Sequence, residues 1–73
     1  MSLAKTAREI LKMSQPEFGE WLAERVGRDA PYPTPRISEY ENGKRSLRMD
    51  ARKACMEVVL GAYDIQLSVD ELL

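Results

Sequence analysis

The sequence predicts a small all-α domain, and three observations carry that prediction. Apolar residues recur at helical spacing in successive short segments. Start signals stand directly ahead of those segments, in "SQPE", "TPRI" and "SVDE". Gly27 and Gly43 sit where the segments should stop. The chain has 73 residues, the size of one small domain spanning 1–73. So short a domain buries modest apolar area, and dimerisation is a natural source of extra stability.

Each element follows in order. Leu3, Ala7, Ile10 and Leu11 fall at i, i+4, i+7 and i+8, so a first helix is expected over residues 3–13. Ser14 with Glu17 three residues on forms a capping box, and Pro16 lies in the first turn, where a missing N–H costs nothing. The second helix then carries Phe18, Trp21, Leu22 and Val26 as its core stripe and stops at Gly27. Prolines at 31, 33 and 35 make "RDAPYPTP" an extended surface connection. Thr34 as N-cap and Pro35 in the first helical position open a third helix over about 34–42, ended by Asn42-Gly43. Ile37, Tyr40 and Glu41 share its inward face; Arg36 and Glu39 share the other, with Ser38 near its edge. A fourth helix is expected from Met49 or Asp50 to about Leu60, with Ala54, Cys55, Val58 and Val59 inward. The second capping box, Ser68 to Glu71, is expected to open a short fifth helix with Leu72 and Leu73.

The composition narrows the function. With 44% hydrophobic and 32% charged residues, the chain is foldable and not disordered. No stretch approaches the ~20 apolar residues that span a bilayer, and the start of the chain has no signal-peptide run. The single cysteine fits a cytoplasmic protein and reads as a small buried residue. With no histidine, one cysteine and only isolated glycines, there is no expected metal ligand set, no cofactor cradle and no enzyme.

The net charge of −1 is unevenly spread. Residues 34–53 carry six cations against three acids, residues 1–13 three against one, and residues 54–73 four acids and no cation. A local positive patch matters more to a polyanion than the total does. Two helices joined by a connection, the second short and polar outside, are what helix-turn-helix DNA readers present. On that reading Thr34, Arg36, Ser38 and Glu39 face base edges: Arg pairs with guanine, Glu accepts from cytosine, and Thr or Ser serve either. Gln15 at the start of helix 2, with Lys44, Arg45 and Arg48 after helix 3, suits phosphates. Arg28 and Tyr32 in the connection form a candidate DNA arm, although Tyr32 is equally suited to packing the loop down. Glu39 has an alternative as an intrahelical partner of Arg36, and Arg52 and Lys53 read as solvated helix residues.

The segments "SQPEFGEWL" and "TPRISEYENGKR" together resemble the Cro/C1-type (XRE-type) helix-turn-helix repressors of phage and bacteria. The matching elements are Ser14-Gln15, Ile37-Ser38 and Glu41-Asn42-Gly43-Lys44, within roughly residues 7–60. The resemblance implies a five-helix, lambda-repressor-like domain that binds double-stranded DNA, usually as a homodimer on an inverted repeat. It implies that Gln15 touches the DNA backbone, that exposed positions of helix 3 read bases, and that Arg8 and Glu41 form a structural ion pair. Three departures stand out: Gly19 where alanine is usual, a helix 2 to helix 3 link longer by about eight residues, and Pro35 where a polar base reader is frequent, which leaves shape or thymine-methyl contact.

The acidic end, residues 54–73, holds more apolar residues than a short tail needs. Val59, Tyr63, Leu67, Leu72 and Leu73 are the expected dimer interface; a second protein, such as a toxin or a polymerase subunit, is the alternative occupant. The expected function is therefore a homodimeric transcriptional repressor. The rivals are an antitoxin of the same fold and a helical protein-interaction module without DNA binding.

Overall fold

In the computed structural model, which describes the backbone of residues 2–72 and the side chains of residues 2–63, four helices and no strand are found among the described residues: α1 (Leu3–Leu11), α2 (Gln15–Val26), α3 (Thr34–Glu41) and α4 (Met49–Leu72). The all-α class holds. The five-helix, lambda-repressor-like architecture is corrected to four helices, because the fourth does not stop near Leu60. It runs through Gly61 and through the "SVDE" segment to Leu72. A capping box starts a helix only where the preceding residues are non-helical. Here residues 62–67 contain no breaker, and a helical glycine costs only about 1 kcal/mol, less than breaking the ladder on both sides.

The starts obey local chemistry. Ser2 caps α1, accepting from the Lys5 N–H at 3.3 Å, and its hydroxyl also reaches the Tyr40 carbonyl at 3.3 Å, tying the start of α1 to the end of α3. At Ser14 both halves of the capping box form: Ser14 Oγ accepts from the Glu17 N–H and Glu17 Oε1 accepts from the Ser14 N–H. These bonds, first the one to the Ser14 backbone, hold the Glu17 carboxyl below its ordinary range. The third start differs from expectation. Pro33 is the cap and Thr34 the first helical residue, with no side-chain cap bond; the Pro33 carbonyl accepts from the Arg36 and Ile37 N–H groups instead.

Three helix ends use one device. After α1, α2 and α3 a residue at positive φ (Lys12 57°, Gly27 74°, Gly43 75°) turns the chain left-handed. The following N–H then reaches back five residues, Met13 to Arg8, Arg28 to Ala23 and Lys44 to Glu39, at 3.2, 2.8 and 2.9 Å. This double-bonded ending satisfies carbonyls that helix termini leave open. At Lys12 it ends α1 at Leu11, two residues before the expected limit.

The core gathers Ala4, Ala7, Phe18, Leu22, Ala23, Tyr32, Ile37, Tyr40, Ala51 and Cys55. α1 lies against α3 and α4, and α2 against both of the same helices. Ile10, expected inward, is exposed; the buried residues of α1 are Ala4 and Ala7, with Leu3 and Leu11 packed against the core. Trp21 is half-buried, its ring stacked on Phe18 at 5.5 Å between centroids and the Arg25 guanidinium 5.2 Å from the Trp21 ring centroid. Burial pushes the Cys55 thiol up to about 11. No helix among the described residues is long and apolar enough to cross a membrane.

The connection of residues 27–33 is docked, not loose. The Tyr32 N–H donates to the Gly19 carbonyl at 3.2 Å, and its ring meets Tyr40 edge-on at 6.0 Å. A Cβ on Gly19 would run into the Tyr32 carbonyl, closer than real Cβ contacts allow. Gly19 is therefore fitted to the long connection, which explains both departures together.

Candidate nucleic-acid interface

α3 is fixed from its inward side. Ile37 is fully buried and Tyr40 nearly so. Arg8 clamps Glu41 with two parallel bonds, Nε to Oε2 at 2.8 Å and Nη2 to Oε1 at 3.1 Å, and spends Nη1 on the Met13 carbonyl at 3.1 Å. The side chains are 20% and 5% exposed. Planar two-point pairing of this kind sets orientation as well as energy. Glu41 leads among the causes that raise the Arg8 pKa further above its ordinary value.

The outward side carries the residues named from the sequence. Thr34 and Pro35 are exposed at the start of α3, while Arg36, Ser38 and Glu39 are half-buried rather than open. Ser38 Oγ accepts from Asn42 Nδ2 at 3.3 Å. The Glu39 carboxylate meets Arg45, not Arg36, at 3.6 Å, and neither side chain is buried (38% and 46% exposed); such a solvent-accessible pair contributes about 0–1 kcal/mol. The Schellman turn at Gly43 brings Arg45 back over the last turn of α3, a contact that i, i+3 counting does not reveal. Gln15 is half-buried as the first residue of α2, and Lys44 and Arg48 are exposed.

No family model, no curated protein and no solved structure matches the chain.

The structure brings together three arginines that lie far apart in sequence. Arg28 from the connection, Arg36 from α3 and Arg48 from the approach to α4 line one open cleft of about 430 Å³ with Val26, Tyr32, Tyr40 and Asp50. Tyr32, 7% exposed, packs the connection down, and the Arg28 guanidinium lies 4.3 Å over its ring. Burial raises the Tyr32 phenol above its ordinary pKa, with Tyr40 and Asp50 adding to the rise and Arg28 and Arg48 opposing it. Arg45 belongs to a different depression, shared with Ser2, Leu47 and Arg52. Asp50 in the arginine cleft and Arg52 in the second were not singled out as site residues from the sequence; their helical spacing gives no sign of which loop they meet.

On α4, Val59 is half-buried against the core and Tyr63 is exposed, in line with Leu60 and Met56 at helical spacing. Of the other expected interface positions, the side chains of Leu67 and Leu72, and Leu73 entirely, lie outside the described residues.

Proposed function

We propose that the chain is a sequence-specific DNA-binding transcriptional regulator of the Cro/C1-type helix-turn-helix kind, a homodimeric repressor that presents α3 to the major groove. One observation carries the reading. α3 is a short helix pinned from behind by Ile37, Tyr40 and the Arg8–Glu41 clamp, with Thr34 and Pro35 exposed at its start and the cations Arg28, Arg36, Lys44 and Arg48 around it. Rigid support behind and positive charge around a helix suit it to a groove between two phosphate rows. Thr34, Pro35, Arg36, Ser38 and Glu39 are assigned to base edges and Gln15, Lys44, Arg45 and Arg48 to phosphates, with α4 as the dimer contact.

A second reading has its own observation: Met56, Leu60 and Tyr63 form an exposed apolar line on α4. In an antitoxin of this architecture that line would grip a toxin while α3 represses the operon. Fluorescence anisotropy with a random-sequence duplex tests the primary reading. Non-specific Kd values of roughly 10⁻⁴–10⁻⁶ M that weaken steeply with added salt are expected. Absence of salt-sensitive affinity refutes DNA binding and leaves a protein-interaction module.

A further inference from the structure

We propose that the cleft between the 27–33 connection, α3 and the start of α4 is a binding site for a phosphate group, a role that stands whether or not α3 reads bases. Arg28, Arg36 and Arg48 arrive from three separate segments and line the same cleft. Among the described residues none of the three has a carboxylate within ion-pair distance, whereas Arg8 and Arg45 each do. The one acid on the lining, Asp50, accepts from the Ala51 N–H at 2.8 Å through Oδ1 and leaves the cleft with a surplus of two positive charges. Like charges gathered around a concave surface are relieved by an anion, and guanidinium groups offer forked donors that match phosphate oxygens.

The site is also pre-arranged. Arg28 is stacked on Tyr32, Tyr32 is hydrogen-bonded to Gly19 and set edge-on to Tyr40, and Gly19 has no side chain to obstruct the docking. A glycine inside a helix gives up about 1 kcal/mol of propensity, so α2 is weakened in order to seat this connection. The phosphate could be a diester of a nucleic-acid strand or the free end of a small phosphate ester; the two share one chemistry and separate in the test.

The experiment titrates the full chain with sodium pyrophosphate at constant ionic strength, following the arginine Nε–Hε resonances by NMR and the affinity by calorimetry. Saturable binding of one pyrophosphate per chain is expected, with the resonances of Arg28, Arg36 and Arg48 moving. Arg28→Ala and Arg48→Ala should each weaken it about tenfold or more. Lys53→Ala, exposed on α4 and away from the cleft, should leave it unchanged. Non-saturating shifts in the wild type, or equal losses in all three variants, overturn the site. The wild-type resonances decide the matter even if a variant fails to fold. A second arm measures duplex affinity against salt. A slope reduced by about one in Arg28→Ala, with pyrophosphate competing, identifies a strand phosphate as the occupant. Saturable pyrophosphate binding with no duplex affinity identifies a free phosphate ester, and refutes the DNA reading while sustaining the cleft.

Discussion

Replacing Gly19 by alanine places one methyl group where the Tyr32 carbonyl already sits. The obstacle is backbone, so the connection must lift or α2 must shift. Lifting breaks the bond from the Tyr32 N–H to the Gly19 carbonyl, a loss of about 1 kcal/mol. It also draws the buried Tyr32 ring off Tyr40; full exposure of a large apolar side chain costs about 1.5–3 kcal/mol. Alanine returns about 1 kcal/mol of helix propensity. The balance is a destabilisation of about 1–3 kcal/mol. At about 4–8 °C per kcal/mol for a domain of this size, Tm should fall by at least several degrees. Thermal melts followed by circular dichroism, with Tyr32 N–H exchange measured by NMR, make the check. A Tm equal to or above wild type, with Tyr32 still protected, would show that the connection is not held as described.

Gly61→Ala is the opposite case: a Cβ there meets nothing within 4 Å and φ is not positive, so the variant should gain about 0.5–1 kcal/mol, read as a higher Tm. Glu41→Gln breaks the clamp on Arg8 and should lose about 3 kcal/mol, the low end for a buried pair because Arg8 remains 20% exposed; the double change Arg8→Met with Glu41→Leu should recover much of that in urea melts. Burial raises the Cys55 thiol to about 11, so its contribution to stability is complete below the unfolded value and is lost as pH rises through the folded one. Stability should fall between pH of about 9 and 11, and Cys55→Ala should flatten that fall. On the DNA side, Arg36→Ala should cost about 1–3 kcal/mol at one base position, while Lys44→Ala should weaken cognate and scrambled duplexes alike, as competition binding would reveal.

What could be read from the sequence was what local chemistry decides. The Ser14–Glu17 box, the glycine stops at 27 and 43 and the inward set of Ile37, Tyr40 and Glu41 all depend on neighbours within one or two turns, and the structure has them. The misplacements arise where a motif has two meanings. Thr34 satisfies the rules for an N-cap, but Pro33 already has extended backbone and takes that role one residue earlier. Ser68 and Glu71 match a capping box, yet nothing upstream interrupts α4. Lys12 in a left-handed turn has no sequence signature, because glycine or asparagine is the usual occupant. The arginine cleft was illegible for another reason: Arg28, Arg36 and Arg48 meet only because Tyr32 docks beside Gly19, a tertiary event with no periodicity of its own.

The central claim is that α3 reads DNA sequence, and selection of bound duplexes from a random pool tests it most directly, with the affinity of the selected sequence followed across a salt series. The account predicts an enriched inverted repeat with half-sites about one helical turn apart, 10–10.5 base pairs, and a steep loss of affinity with salt. No enriched sequence and a flat salt response would contradict it, and would leave α3 as a supporting helix of a protein whose partner lies elsewhere.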